Sequence, residues 1–186
     1  MFGENIKLVD RNVNIEEIER DFNDHISRTW TSDDIKKEVS EYDKNILVFL
    51  NEYLYAAGKG LQFAFTEKYD IEHIVPASGR NQPQIRQDAG IPDADEFMDW
   101  VNKLGNKLLL EEDINRSISN EWFRTKIQTS VTDKRGYKNS RYAIPAALVE
   151  AYKNTAKPYW LKSDIIAATD KIAKRISCFI FCAVES

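Results

Sequence analysis

Two short strand-like segments in an otherwise helical sequence limit the fold most. Residues 69–75 alternate or run apolar, as strands do, and Pro76 ends the run because proline cannot donate to a strand ladder. Residues 106–111 form a second such segment directly after Gly105. Strands this short need a partner strand and a covering of helices. The sequence therefore predicts a small hairpin within a mostly helical α+β domain.

Helical periodicity dominates the sequence on both sides of these strands. Asn14, Thr31, Asp93 and Ser163 each stand as a polar residue ahead of apolar residues at helical spacing, which is typical of a helix start. After the second strand, one helix is predicted for residues 115–126. The first strand is predicted to lead into a long polar loop before the helix that starts at Asp93.

We interpret the chain as one domain, 1–186, because its 186 residues suit one core and show no repeat, low-complexity tract or obvious linker. The predicted parts are N-terminal helices in 1–60, a strand–strand–helix core in 61–130 with an inserted loop and helix at 77–105, and a basic loop with C-terminal helices in 131–186.

Composition and the first residues indicate where the protein works. Hydrophobic residues make up 42% and charged residues 30%, which is ordinary for a soluble globular protein. No apolar run approaches the roughly 20 residues of a membrane span. The N-terminus lacks the basic-then-apolar pattern of a signal peptide. We therefore expect a cytoplasmic protein without a membrane partner.

Glu72 and His73 stand side by side near the end of the first strand. Phosphodiester hydrolysis needs a base to activate water and a cation to neutralise charge on the phosphate. Histidine suits the base because its ordinary pKa lies near neutrality, and glutamate is a hard ligand for Mg²⁺ or Mn²⁺. Because adjacent strand residues point to opposite faces, the pair serves one site only if the strand ends or bends here. A surface Glu–His pair at a strand end is the alternative.

Two asparagines follow at a spacing of nine residues. Asn106, at the start of the second strand, can bridge backbone groups across a hairpin. Asn115 falls where a helix is predicted to begin, so its side-chain oxygen can either cap that helix or reach a cation.

Three spaced blocks resemble the HNH, or ββα-metal, nucleases, and most closely the C-terminal nuclease domain of GmrSD-type restriction endonucleases. The blocks are DIEHIVP at 70–76, LGNKLLL at 104–110 and INRSISN at 114–120, with Phe123 and Lys126 in the helix that follows. The resemblance implies a ββα-metal hairpin–helix core surrounded by helices.

The resemblance also implies roles for single residues. His73 is expected to be the general base, and Asn106 the structural asparagine that holds the hairpin. Glu72 and Asn115 are expected to bind one Mg²⁺ (or Mn²⁺) ion. Asn115 replaces the final histidine of the HNH pattern, and Glu72 stands where many relatives have aspartate.

Two further residues are given supporting roles by the resemblance. Lys126 is the helix lysine of the pattern and is expected to contact phosphate. Asp70 is expected to hold a metal ligand in position without binding the ion itself.

A basic segment follows the candidate site. The net charge of the chain is -4, but residues 116–141 carry seven basic and two acidic residues, a local net charge of +5. A solvated charged face or contact with phosphate would each account for this cluster, and its position favours phosphate. Besides Lys126, the basic residues are Arg116, Arg124, Lys134, Arg135, Lys138 and Arg141.

The expected function is a metal-dependent DNA endonuclease of a restriction or anti-phage defence system. It would bind the DNA backbone with little sequence specificity. Full-length relatives imply an N-terminal sensor domain or a partner subunit. The alternatives are a non-catalytic DNA-binding module on a degenerate HNH scaffold, and a helical interaction domain with fortuitous motifs.

Overall fold

The computed structural model of the protein describes residues 14–42, 44–63, 68–128 and 135–182. Within them the fold is mostly helical and has one antiparallel sheet of two strands, β1 (Tyr69–His73) and β2 (Lys107–Glu111), in agreement with the predicted α+β class. The α-helices in chain order are α1 (Ile15–Thr29), α2 (Ser32–Glu41), α3 (Asn45–Gly58), α4 (Gln82–Asp88), α5 (Ala94–Val101), α6 (Glu112–Ile118), α7 (Phe123–Gln128), α8 (Ala143–Tyr152) and α9 (Lys162–Cys182). No described helix has the length and apolar character needed to cross a membrane.

The hairpin separates two hydrophobic clusters. Leu108 and Leu110 belong to one cluster, and Leu109 with Ile71 belongs to the other. Leu108, Leu109 and Leu110 are each 0% exposed. Successive strand residues point to opposite faces, so a strand covered on both sides needs an unbroken apolar run. The hairpin is therefore an internal element, and its loop end is held from two sides.

Gly105 lies where the loop before β2 meets α9. Its N–H donates to the Thr169 hydroxyl at 3.0 Å, and its carbonyl oxygen accepts from the Trp160 indole at 3.2 Å. A Cβ at this position would lie 2.1 Å from the carbonyl oxygen of Ile165, well inside contact distance. Only glycine lets the loop approach α9 this closely.

The predicted helix starts are confirmed where a polar cap is present. The Asn14 side chain accepts from the backbone N–H of Glu17 at 3.3 Å, and the Asp93 side chain accepts from that of Glu96 at 2.8 Å. Each satisfies one of the N–H groups that a helix start leaves without a partner. Local sequence alone is enough to define these helix starts.

Three expectations about the core were wrong. The helix predicted for 115–126 is two helices, α6 and α7, separated at Ser119, where φ is +49°. Asn115 therefore lies within α6 and does not begin it. The loop predicted after β1 contains α4, because Pro83 sits in the first turn of that helix, where proline is tolerated.

The basic segment also differs from the exposed loop that was expected. Tyr137 within it is 0% exposed. It starts a short 3-10 turn, Tyr137–Asn139. Residues 62–66 also alternate in the sequence as a strand does, which predicts a further strand there, but they fall mainly outside the described part of the chain.

Candidate active site at the end of the hairpin

Asn106 fixes the loop that follows β1. Its side-chain oxygen accepts from the backbone N–H of Val75 at 2.8 Å, and its amide nitrogen donates to the carbonyl oxygens of Val75 at 3.0 Å and Val101 at 2.8 Å. Its own carbonyl accepts from Ile74 at 2.9 Å. Asn106 is 0% exposed, so these bonds satisfy a buried amide and set the path of the chain just beyond His73.

Glu72 is held by two donors inside the protein. The Lys126 ammonium and the Tyr137 hydroxyl both donate to its oxygen Oε1, the latter at 3.1 Å. Glu72 is 6% exposed and Lys126 is 1% exposed. Lys126 also donates to the carbonyl oxygens of His73 at 2.8 Å and Ile74 at 3.2 Å. One ammonium thus links the candidate ligand Glu72 to the backbone that carries the candidate base His73.

The resemblance predicted a phosphate contact for Lys126, but the structure turns this side chain inward. Its three donor hydrogens match the three acceptors that it meets, which are the Glu72 carboxylate and the two carbonyls. Burial lowers the Lys126 pKa and raises that of Glu72, and the attraction between the two opposes both shifts. The bonding pattern is that of a charged pair, because only an ammonium donates to three acceptors.

Asp70 and Asn115 form a second pair. The Asn115 amide nitrogen in α6 donates to Oδ2 of Asp70 in β1 at 2.9 Å, and both side chains are half-buried. Asp70 and Glu72 are two residues apart on one strand, so they share a face. The structure therefore brings these two side chains, with Asn115 and Lys126, to the face of the hairpin that also carries Leu108 and Leu110. Among the described residues, no three His, Cys, Asp or Glu side chains are grouped as a metal site.

His73 ends β1 and lies opposite Lys107 in the strand register. Strand alternation directs its ring away from the face of Glu72. The ring contacts Asn102, and its Nε2 is buried without a hydrogen-bond partner in the described structure. Burial, with Lys107 and Lys126 nearby, lowers the His73 pKa from 6.5 to about 4. The imidazole is therefore neutral at physiological pH. A pKa this low also makes it a weaker base in this environment than a histidine whose pKa lies near neutrality.

This lowered pKa predicts a loss of stability in acid. As pH falls below 6.5, the unfolded chain binds a proton at His73 before the folded chain does, until pH reaches about 4. The contribution of neutral His73 to the free energy of unfolding is therefore full above pH 6.5 and is lost as pH falls to about 4. Within this window the free energy of unfolding falls by up to about 1.4 kcal/mol per pH unit. Denaturant unfolding of the His73→Gln variant should therefore show a weaker pH dependence than the wild type in this window.

The other histidine provides the control for this measurement. His25 is exposed on α1. The His25→Gln variant should keep the wild-type pH slope. A His73→Gln variant with an unchanged slope would contradict the burial of a neutral His73.

Two of the exposed basic residues pair with carboxylates of α6. Arg116 forms an ion pair with Glu112, and Arg135 forms one with Asp113 at 2.6 Å. Exposed pairs of this kind contribute little to stability, so both guanidinium groups can exchange partners for a phosphate. The other described members are Arg124, Lys138 and Arg141, all exposed, and Lys134 lies outside the described residues.

Tyr137 is a site residue that the sequence did not indicate. It lies 65 positions after Glu72 in the chain, in a segment whose charge predicted exposure. Its burial with Glu72 raises its pKa well above the ordinary value, so it remains a hydrogen-bond donor. No local periodicity or spacing signals such a contact.

The chain matches a known protein family over most of its length. Residues 20–175 fit the family described as GmrSD restriction endonucleases, C-terminal domain. No curated protein and no solved structure matches the chain.

Proposed function

The chain belongs to the family of C-terminal domains of GmrSD restriction endonucleases, and we propose that it is a metal-dependent DNA endonuclease domain that hydrolyses phosphodiester bonds in defence against foreign DNA. The observation that carries this proposal is the bond between Asp70 and Asn115. It holds an amide from α6 on the same hairpin face as Glu72, at the end of the strand that carries His73.

The oxygens on this face suit a divalent cation. Lys126 and Tyr137 both bind Oε1 of Glu72, and neither engages Oε2. The amide nitrogen of Asn115 donates to Asp70, so the amide oxygen of Asn115 is the atom proposed to bind the cation. Contacts of this kind orient the ligands of metal sites.

We assign Glu72 and Asn115 as the protein ligands of one Mg²⁺ or Mn²⁺ ion. Two protein oxygens leave the remaining positions to water and phosphate, which Mg²⁺ tolerates well. The bound cation would supply charge neutralisation at the phosphate.

His73 is the proposed general base. Strand alternation directs the ring away from Glu72, but β1 ends at His73, so the role of general base requires the ring to rotate and meet the Glu72 and Asn115 oxygens across the strand end. The neutral imidazole would then take a proton from the attacking water at Nε2, the nitrogen that is buried without a partner in the described structure. The water oxygen bonds to phosphorus as the bond to the 3′ oxygen breaks, which leaves a 5′-phosphate end and a 3′ oxygen that takes a proton from solvent to become a hydroxyl. Asn106 and Lys126 act as positioning residues, because both fix the backbone at the His73 loop.

The exposed basic residues of segment 116–141 are proposed to bind the DNA backbone. Phosphate contacts are independent of sequence and weaken as salt rises. An N-terminal sensor domain or a partner subunit remains a prediction.

Incubation of supercoiled plasmid with the protein tests the proposal. We expect nicked or linear DNA with Mg²⁺ or Mn²⁺ and intact plasmid with excess chelator. Asn115→Ala removes one proposed ligand without breaking the buried pair of Glu72 and Lys126, and it should remove cleavage but leave DNA retention at low salt. Metal-independent retention without cleavage by the wild type would instead favour the non-catalytic DNA-binding module.

A further inference from the structure

A cavity of about 280 Å³ lies between α8 and α9, and the hairpin forms part of its wall. Small side chains leave this space: Ala147 and Ala151 face it from α8, and Ala167 and Ala168 face it from α9. The volume is close to the lower end of small-molecule sites, about 300 Å³. None of the proposed catalytic or metal-binding side chains lines it. We refer to it as the α8–α9 cleft.

One end of the α8–α9 cleft is aromatic. Tyr152 and Trp160 line it there, with their ring centroids 6.0 Å apart. The Trp160 indole is fixed by its bond to the carbonyl of Gly105. The Lys157 ammonium lies 5.7 Å from the ring centroid of Tyr152 and 6.0 Å from that of Trp160. A flat ring that stacks at this end must therefore displace this ammonium from the two rings.

The other end of the α8–α9 cleft is cationic. Lys171 and Arg175 line it, one helical turn apart on α9. The Arg175 guanidinium donates to the Asn51 side chain and lies 5.0 Å above the ring of Tyr55. An arginine oriented in this way has little conformational freedom left to lose on binding, which suits it to bind phosphate.

Positive charge exceeds negative charge within the α8–α9 cleft. Lys107, Lys171 and Arg175 are among its described lining residues, and Asp164 is the one carboxylate among them. Asp164 forms an ion pair with Lys157 at 2.7 Å. The carboxylate of Glu52, close to Arg175, instead accepts from the backbone N–H groups at the start of α8. The attraction between Glu52 and Arg175 offsets part of the positive charge at this end, so among the described lining residues Lys171 is the main cation left for a bound anion.

We propose that the α8–α9 cleft binds a nucleoside phosphate, with the phosphate at Lys171 and Arg175 and the base at Tyr152 and Trp160. From Asp164 to Arg175 the cleft follows α9 for about 16 Å, at 1.5 Å per residue, so both groups fit along it. A free nucleotide and a nucleotide of a DNA strand present the same chemistry. The inference does not depend on nuclease activity.

Titration of the full chain in chelator tests this site. We expect calorimetry and tryptophan fluorescence to show saturable binding of deoxyadenosine 5′-monophosphate. Deoxyadenosine and inorganic phosphate should each bind at least ~10-fold more weakly, because each lacks one of the two recognised groups. A short single-stranded oligonucleotide that binds more tightly than the mononucleotide would identify a DNA strand as the source, and weaker binding would identify a free nucleotide.

Matched variants locate the ligand. Lys171→Glu should weaken binding at least ~10-fold, whereas Lys174→Glu, on the exposed side of α9, should not. Ala147→Leu should block the cleft without changing its charge, and Ala146→Leu is its exposed control. Thermal unfolding confirms that each variant is folded. Absence of saturable binding, or equal effects of Lys171→Glu and Lys174→Glu, would overturn the proposal.

Discussion

Replacement of His73 by alanine is expected to slow plasmid cleavage by about 10²–10⁴-fold, the usual cost of losing a general base. The imidazole is neutral because its pKa is about 4, and its Nε2 has no partner in the described structure. DNA affinity measured in chelator should stay near the wild-type value, because His73 is not among the exposed basic residues.

Two comparisons separate a chemical role of His73 from a structural one. The His25→Ala variant, altered on the exposed surface of α1, should cleave at the wild-type rate. Added imidazole should partly restore cleavage by His73→Ala, because a small base can enter the space that the side chain leaves. A folded His73→Ala variant that cleaves at the wild-type rate would refute the base assignment.

Substitution of Lys126 by methionine is expected to destabilise the protein by about 3–5 kcal/mol, since it leaves a buried carboxylate without its partner. Glu72 would keep only Tyr137 as a side-chain donor, and the carbonyls of His73 and Ile74 would each lose a bond. Denaturant unfolding measures the loss. Arg124→Met, an exposed change on the same helix, should have little effect on stability.

A double variant shows whether the pair itself is responsible. Lys126→Met combined with Glu72→Met removes both charges, and should recover much of the stability lost in Lys126→Met alone.

The salt dependence of DNA binding tests the phosphate contact that the resemblance predicted. Loss of one phosphate contact reduces the salt slope by about 1, and we expect no such change for Lys126→Met because its ammonium is buried. A reduced slope would return Lys126 to the DNA interface.

Local signals in the sequence predicted those parts of the fold that local physics determines. Asn14 and Asp93 mark their helix starts because a cap acts within three residues. The apolar run of β2 predicted a strand, and the structure explains its lack of alternation by burial on both faces. The break between α6 and α7 was missed because Ser119 takes a positive φ that glycine or asparagine more often provides.

The candidate site was only partly accessible from the sequence. Asp70, Glu72, His73 and Asn115 were found because their spacing resembles a known pattern. Tyr137 was missed, and Lys126 was expected to contact phosphate and not Glu72, because the contacts of Tyr137 and Lys126 with Glu72 span 65 and 54 positions of the chain. Such contacts depend on how α7 and the 3-10 turn dock against β1, which no local pattern specifies.

The position of the hairpin between two hydrophobic clusters has a consequence for control of the protein. Local opening costs least where few apolar contacts cover the backbone, and β2 is covered on both faces. Fluctuations that displace β2 must therefore disrupt both clusters, and they approach unfolding of the described core. A partner that restrains this domain would accordingly act by blocking access to the exposed basic residues of segment 116–141, since the hairpin itself offers no low-energy open state to select.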